Sequence, residues 1–143
     1  MILVKTIDDS MFEKINEFLK TVESISDIEE DVVKNAVYSS NGDDILGMIS
    51  YEKFNEFGLI RYFVFKKSLE ILTIKNMLNL LKENARNNGL KYLFSIINDD
   101  KIIDLFKELE FENIDKNYFF IEEKNINNTK YKDSTILLKK LSN

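Results

Sequence analysis

The sequence contains no cysteine and no histidine. Their absence excludes thiol nucleophiles, zinc sites built from sulfur and imidazole ligands, histidine general bases and the Ser-His-Asp triad. Any chemistry must therefore use carboxylates, Tyr, Ser, Thr, Lys or the backbone. Proline is also absent while Ile, Lys and Asn are abundant, a bias that is typical of an A/T-rich genome and carries no information about mechanism.

Long apolar runs and an excess of basic residues are missing as well. The first residues, MILVKTIDD, lack the apolar segment of a signal peptide, and no later run approaches the roughly 18 to 20 residues of a membrane span. The net charge is −5, so no basic excess drives contact with nucleic acid. We therefore expect a cytoplasmic protein that binds neither membranes nor nucleic acid.

The length and composition are those of a globular domain. The chain has 143 residues, of which 44% are hydrophobic and 31% are charged, enough to bury a core beneath a well-solvated surface. We expect one domain that spans residues 1–143.

Local patterns in the first half predict two helices followed by three antiparallel strands. Residues 2–7 form a β-branched strand, and Ser10-Met11-Phe12-Glu13 has the form of a capping box, which starts a helix. A second capping-box pattern begins at Ser26 and predicts a shorter helix that reaches about Val33. The Asn41-Gly42 pair is typical of a hairpin turn. The strands are predicted at residues 35–40, 44–54 and 59–65.

The second half alternates between helices and strands. Apolar residues at helical spacing predict a long helix from about residue 71, which Asn88-Gly89 can close. Residues 91–97 form a buried-looking strand, so the strand–helix–strand unit implies a right-handed parallel crossover. Asp99 or Asp100 can cap a further helix. Two last strands are predicted at residues 117–123 and 134–141, on either side of a polar loop.

The resulting order, β-α-α-β-β-β-α-β-α-β-β, resembles that of the GNAT superfamily of acyl-CoA-dependent N-acyltransferases over almost the whole chain. LIRYFVF (59–65) is similar to the fourth strand of that family, and ARNNGLKYLFSII (85–97) to its third helix and fifth strand. DDKIIDLFKELEF (99–111) is similar to its Asn-x-x-Ala-x-x-Leu-Tyr-x-x-x-Gly-Phe helix. The resemblance implies an α/β fold with a mixed, mostly antiparallel sheet of seven strands and helices on both faces.

The resemblance also implies a site for acetyl-CoA, or another acyl-CoA, as cosubstrate. In the family, the turn after the fourth strand reads Arg/Gln-x-x-Gly-x-Gly/Ala, and its backbone N–H groups bind the pyrophosphate. Here the spacing is kept but the residue types are not, because side chains replace the glycines and leave less room for phosphate. The implied cofactor turn comprises Leu69, Glu70, Ile71, Leu72, Thr73, Ile74 and Lys75.

Charge and backbone donors compensate in part for the missing glycines. The helix N-terminus still offers free N–H groups, and Lys66, Lys67 and Lys75 can supply positive charge. Glu70 opposes them, because its carboxylate lies beside an anionic ligand.

The resemblance places two further parts of the cosubstrate. The pantetheine arm pairs with backbone groups of the fourth strand where it splays from the fifth, which implies a role for Phe63, Val64 and Phe65. In the second motif, Asp99 stands at the position of the family's Asn. Phe106 stands at the position of the Tyr that often protonates the departing thiolate, and it has no proton to give.

Few side chains qualify for acid–base chemistry. Glu52, near the end of the third strand, is the preferred general base, ahead of Glu56 in the following turn, and it acts on an amine directly or through water. Tyr118, or Tyr62, can donate a proton if it faces the same cleft. Adjacent carboxylate pairs lie at caps and turns, and we expect no metal site.

Two functions remain open from the sequence. The first is transfer of an acetyl or other acyl group from CoA to a primary amine of a small molecule or peptide. The second is a catalytically inactive GNAT-like domain that binds a ligand or a protein, which the joint loss of the glycines, the Arg/Gln and the Tyr would explain. A monomer, or a homodimer formed through the late strands, is compatible with either function.

Overall fold

A computed structural model of the chain describes residues 2–22, 25, 27–121, 124–125, 127, 129 and 133–141, with the backbone alone at positions 118, 121 and 124. Within these ranges the helices are α1 (Phe12–Lys20), α2 (Glu30–Val33), α3 (Ile71–Asn87) and α4 (Asp100–Glu108). The strands are β1 (Ile2–Thr6), β2 (Val37–Asn41), β3 (Asp44–Phe54), β4 (Phe57–Phe65), β5 (Tyr92–Ile97), β6 (Glu112–Asn113), β7 (Phe120–Ile121), β8 (Lys124–Asn125) and β9 (Thr135–Lys140).

Seven of these strands form one mixed sheet in the order β1-β2-β3-β4-β5-β9-β6. Neighbouring strands pair antiparallel except for β4 and β5, which are parallel. The helix between that pair is α3, as a parallel crossover requires. The predicted fold class is therefore confirmed, and β7 and β8 add a small separate hairpin.

The turns of the sheet lie where local sequence predicts them. Gly42 has a φ of 61° in the β2–β3 turn, and Asn55 has a φ of 55° in the β3–β4 turn. Gly89 has a φ of 87° after α3, and the Leu90 N–H donates to the Ala85 carbonyl at 3.1 Å. Glycine and asparagine are the residues that adopt this left-handed conformation at least cost.

Helices cover both faces of the sheet. The α3 face carries α3 and α4, whose buried residues, among them Met77, Leu81 and Phe106, share one core cluster with Ile49 and Ile60 of the sheet. The opposite face, which we call the α1 face, is covered over β2 and β3 by α1 and α2. Further along the α1 face, a third cluster is built on β4, β5 and β9. No helix in the described ranges is long and apolar enough to cross a membrane.

The helix starts differ in detail from the capping-box prediction. The first helix lies where expected, but no side chain caps α1 itself. Asp8, rather than Ser10, caps the 3₁₀ turn at residues 9–11 that leads into it. Asp8 Oδ1 accepts from the Met11 N–H at 3.2 Å and from the Ser10 hydroxyl at 2.5 Å. The carboxylate is the better acceptor, so the hydroxyl supports it instead of capping the helix. Ser26 lies outside the described residues, and α2 begins only after Glu29, whose side chain makes no capping bond.

The end of the chain requires a second correction. The strand predicted at 117–123 does not join the main sheet, because the chain leaves that sheet after Asn113. Asp115 then caps a 3₁₀ turn at residues 116–118, accepting from the Asn117 N–H at 2.9 Å. Within the described part of the predicted segment, only Phe120–Ile121 forms a strand, and it pairs with β8. The strand predicted at 134–141 is present as β9, which lies between β5 and β6 and pairs with β6 only through Leu137 and Leu138. A homodimer through the late strands stays a prediction.

Candidate functional site

The two parallel strands of the sheet separate along their length. β4 and β5 pair only through Phe57–Tyr92, Gly58–Leu93 and Leu59–Phe94. Beyond Leu59, β4 continues to Phe65 and β5 continues to Ile97 without pairing to each other. The sheet therefore contains a V-shaped opening, which we call the β4–β5 cleft.

A β-bulge in β4 lies just beyond the last pair. Ser50 of β3 opposes Arg61 and Met48 opposes Val64, so β4 has an extra residue at this point. Tyr62 takes a φ of 52° there, a conformation that costs a non-glycine residue about 1–2 kcal/mol. Bulges bend a strand and increase its twist, so this one turns β4 away from β5.

The hydroxyl of Tyr62 stabilises the bulge from the α1 face. It accepts from the Glu29 N–H at 2.9 Å and donates to the Asp27 carbonyl at 3.1 Å. Both partners belong to the segment that leads into α2. The bulge and the start of α2 therefore hold each other in place, and the Tyr62 proton already has an acceptor.

The open edge of β4 presents backbone groups to the cleft. Phe63, Val64 and Phe65 lie beyond the bulge, on the part of β4 that has no pairing to β5. On their other side, Val64 and Phe65 pair with β3. An unpaired strand edge can bind another extended chain with amide groups. The binding of a pantetheine arm by these three residues stays a prediction.

Leu69 anchors the turn between β4 and α3. The Lys66 N–H donates to the Leu46 carbonyl at 2.8 Å, and the Leu69 N–H donates to the Lys66 carbonyl at 3.0 Å. The side chain of Leu69 is buried against Gly47, where a Cβ would lie only 2.9 Å from Leu69 Cδ2. The glycine that this turn uses is therefore on β3 and not in the turn itself.

The N-terminus of α3 is uncapped and exposed. Glu70 occupies the N-cap position without a side-chain capping bond. In the first helical bond, the Ile74 N–H donates to the Glu70 carbonyl at 3.2 Å. The N–H groups of Ile71, Leu72 and Thr73 precede that bond and have no helical acceptor. The side chains of Ile71 and Leu72 are 60% and 66% exposed. Leu72 therefore does not fill the cleft, whereas Ile74 is buried in the core.

The lysines near this helix end are in different situations. Lys75 Nζ lies 3.1 Å from Glu108 Oε2 of α4, so its charge is balanced within the protein. Lys66 and Lys67 are exposed in the turn. The two turn lysines are thus better placed than Lys75 to meet an added anion.

Phe106 and Asp99, the two residues of the second motif, have structural roles: Phe106 packs in the core and Asp99 caps a helix. Phe106 is fully buried, with its ring edge-on to Phe63 at 5.7 Å and to Phe111 at 4.9 Å between centroids. It therefore joins α4 to β4 on the α3 face of the cleft. Asp99 Oδ1 accepts from the Lys101 N–H at 2.9 Å and caps α4.

A charged triad occupies the α1 face beside the bulge. Arg61 Nη1 lies 2.5 Å from Glu52 Oε1 and 2.9 Å from Glu29 Oε2. Glu52 stands directly across from Leu59, the last residue of β4 that pairs with β5. Burial lowers the pKa of Arg61 but the two carboxylates raise it, and the net direction is upward. The triad therefore keeps one positive and two negative groups at the point where the cleft opens.

A cleft of about 870 Å³ borders this triad. We call it the acidic cleft. It lies between α2 and the end of β3, and Glu52 forms part of its wall. Its ionisable lining residues are Glu29, Glu30, Asp31, Lys34, Glu52 and Lys53. With Arg61 of the triad included, four carboxylates face three cations, so this space has a small excess of negative charge.

Two aspects of the site were missed from the sequence. The partnership of Glu52 with Arg61 was not foreseen, although an arginine in the middle of the apolar run LIRYFVF was a signal for it. The role of Tyr62 in the bulge had no signal, because a left-handed tyrosine follows from tertiary contacts. The side chain of Tyr118 lies outside the described part of the structure. No group of three or more metal-ligating side chains occurs among the described residues.

Comparisons with solved structures identify the architecture. N-acetylglutamate synthase from Neisseria gonorrhoeae, complexed with coenzyme A and L-arginine, matches 99% of the chain with a TM-score of 0.74 and 14% identity. A GNAT-family acetyltransferase from Staphylococcus aureus Mu50 matches 99% of the chain over its own full length, with a TM-score of 0.68 and 13% identity. The chain has the GNAT fold.

A third structure with the GNAT fold is Rv2747 from Mycobacterium tuberculosis in complex with CoA. It matches over 98% of this chain and 99% of its own, with a TM-score of 0.70 and 15% identity. The chain spans about a third, 34%, of the N. gonorrhoeae synthase. No family model matches the sequence, and a comparison with curated proteins found no match.

Proposed function

We propose that this protein transfers an acetyl or other acyl group from acyl-CoA to a primary amine of a small molecule or peptide. The observation that carries the proposal is the coincidence of three features along one strand. β4 separates from β5 after Leu59, bulges at Tyr62 and leads into the uncapped N-terminus of α3. That arrangement suits a long ligand with amides along its middle and phosphates at one end.

The phosphates would meet the N-terminus of α3. Its free N–H groups and the partial positive charge of the helix end attract anions, and Lys66 and Lys67 add charge nearby. Leu72 stands at one of the positions where the family has glycine, but its side chain is exposed to solvent and does not block this approach. Neighbours crystallised with coenzyme A support this use of the fold.

The reaction would take place where the β4–β5 cleft begins. Acyl-CoA supplies the acyl group as a thioester, and the amine nitrogen forms a bond to its carbonyl carbon while the C–S bond breaks. Glu52 accepts the proton that the nitrogen loses, directly or through water. Phe106 has no labile proton, so the sulfur leaves as a thiolate or takes its proton from water.

A thermal-shift series with CoA and acetyl-CoA tests the cosubstrate. A ligand at 100 times its dissociation constant stabilises the folded state by about 2.7 kcal/mol, which corresponds to a shift of roughly 5–10 °C for a chain of this size. We expect a shift of that order with both compounds. No shift at millimolar CoA would exclude the acyltransferase and leave a GNAT-fold binding domain as the function.

A matched pair of variants tests whether backbone donors hold the phosphates. Ile71→Pro removes one N–H at the first helical position, where proline is tolerated, and Glu70 already has the extended conformation that must precede proline. We expect about tenfold weaker CoA binding or more, because a hydrogen bond to a charged group is lost. Ile71→Ala keeps the N–H and serves as the control. Equal affinities of the two variants would contradict the proposal.

A further inference from the structure

Five phenylalanines surround a pocket on the α1 face, next to the site proposed above. The pocket has a volume of about 320 Å³, at the lower end of the range for small-molecule sites. Phe54 and Phe57 come from the β3–β4 hairpin, and Phe94 comes from β5. Phe119 and Phe120 follow the 3₁₀ turn at residues 116–118 and form the far wall, and Lys53 and Asn55 of the hairpin also line the pocket. We call this space the phenylalanine pocket.

The far wall of the pocket is held in a defined position. The ring of Phe119 packs against Phe94 at 4.9 Å and against Phe57 at 6.3 Å between centroids. The side-chain amide of Asn125 donates to the Phe119 carbonyl at 3.3 Å and to the Asn117 carbonyl at 3.0 Å. The turn that carries Phe119 and Phe120 is therefore tied to both the core and the β7–β8 hairpin.

Phe120 differs from the other four rings because it remains exposed. Its residue is 58% exposed, whereas Phe94 and Phe119 are 1% and 7% exposed. When an apolar group covers a large apolar side chain at the rim of an aromatic pocket, the free energy of the complex is lowered. An apolar ligand in the pocket would therefore cover Phe120.

The register of the sheet fixes the spacing between this pocket and Glu52. Glu52 and Phe94 stand on either side of Leu59, in one row across three strands. Phe57 is two residues before Leu59 on the same face, which places its row about 7 Å away at the usual rise per residue. Two or three bonds from an amine nitrogen, together with the length of the ring that follows them, span a distance of this order. An amine near Glu52 can therefore place a ring among the phenylalanines.

The charges beside the pocket suit an amine. Together, the triad and the adjoining acidic cleft carry four carboxylates, those of Glu29, Glu30, Asp31 and Glu52, against the three cations Arg61, Lys34 and Lys53. A protonated amine complements this charge, whereas an apolar ring complements the pocket.

We propose that the acceptor is an amine with an aromatic or branched apolar group two or three bonds from its nitrogen, and that the phenylalanine pocket binds this group. The inference rests on the proposed acyl transfer for its site but makes a separate statement about the ligand. The probes are 2-phenylethylamine and ethylamine, which differ only in the ring.

Steady-state acetylation of the two amines with acetyl-CoA provides the first measurement. We expect kcat/KM for 2-phenylethylamine to exceed that for ethylamine by about tenfold or more, as burial of a phenyl ring implies. Phe120→Ala should remove most of this preference through a higher KM, while Phe120→Leu, which keeps an apolar wall, should retain part of it. The control is Leu3→Ala, at an exposed apolar position of β1 at the opposite edge of the sheet. It should leave kcat/KM unchanged for both amines.

Direct binding of 2-phenylethylamine, followed by NMR shifts or calorimetry without CoA, separates the two proposals. Binding that Phe120→Ala abolishes, without acetylation of any amine, would support the pocket and overturn the transferase. Acetylation with equal kcat/KM for the two amines, or an equal effect of Phe120→Ala on both, would overturn the pocket alone. A dimer in sedimentation that dissociates in Phe120→Ala would also overturn it, because a second copy would then be the occupant.

Discussion

The two sides of the β4–β5 cleft differ in what they are made of. On the proposed cofactor side, the groups that meet the ligand are backbone: the edge of β4 and the N-terminus of α3. On the proposed acceptor side they are side chains: the ion-paired triad of Glu52, Glu29 and Arg61 and the exposed ring of Phe120. A backbone site tolerates many residue types at its positions, whereas a side-chain site does not. Under the proposed function, this difference would explain how the turn at residues 69–75 binds phosphates without glycines.

The largest expected effect is on the acceptor side. Glu52→Gln keeps the size of the side chain but removes the base, and we expect kcat to fall about 100- to 10,000-fold, the usual contribution of a general base. CoA binding in the thermal-shift assay should not change. Glu17→Gln, an exposed position on α1, is the matched control. An unchanged kcat would remove Glu52 from the mechanism.

A change beneath the junction of the two sides should impair both of them. A Cβ on Gly58 would lie 2.5 Å from Leu90 Cδ2 and 2.8 Å from Leu93 Cδ2, and both leucines are buried. We expect Gly58→Ala to lower the free energy of unfolding by about 1–3 kcal/mol, as overpacking does, and to weaken CoA and amine binding together.

Chemical denaturation measures the effect of Gly58→Ala. Gly42→Asn is the control, because the space around Gly42 is open and asparagine tolerates its φ of 61°. If Gly58→Ala is as stable as the control and binds both ligands normally, the paired segment does not set the geometry of the cleft.

The smallest effects should come from side-chain charge on the cofactor side. Charges at an exposed helix end contribute about 0.3–1 kcal/mol each. Replacing Lys66 and Lys67 together by alanine should therefore weaken CoA binding a few-fold. Glu70→Gln should strengthen CoA binding about two- to fivefold. Titrations at low and high salt measure both changes, which salt should reduce. A hundredfold loss in the lysine variant would mean that side chains, and not backbone, dominate this side too.

Most of the fold could be predicted because its signals are local. The Asn-Gly turn, the glycine after α3 and the apolar periodicity each act within a few residues, and every strand of the main sheet except β6 was anticipated. The errors arose where two local acceptors compete, as at Asp8 and Ser10, and where a two-residue strand is too short to leave a pattern. The segment 117–123 was assigned to the sheet because its aromatic residues favour strands, but a cap at Asp115 redirects the chain.

The site could be predicted only in part. The position and length of the segment after the fourth strand predicted a cofactor turn at residues 69–75. In the structure, the uncapped N-terminus of α3 lies within this segment. The balance of Lys75 by Glu108, the burial of Phe106 against Phe63 and the anchoring of Leu69 on Gly47 each depend on residues more than 20 positions apart in the chain. Such pairs leave no periodic pattern in the sequence.

By itself, the sequence determined the order of strands and helices and excluded every site that needs cysteine or histidine, because these depend on residue identity and short spacing. Only the tertiary structure decided that β4 leaves β5 after Leu59, that Arg61 joins Glu52 to Glu29, and that five phenylalanines from three segments enclose one pocket. These features depend on strand register and packing, which link distant residues through contacts that form only in the folded chain.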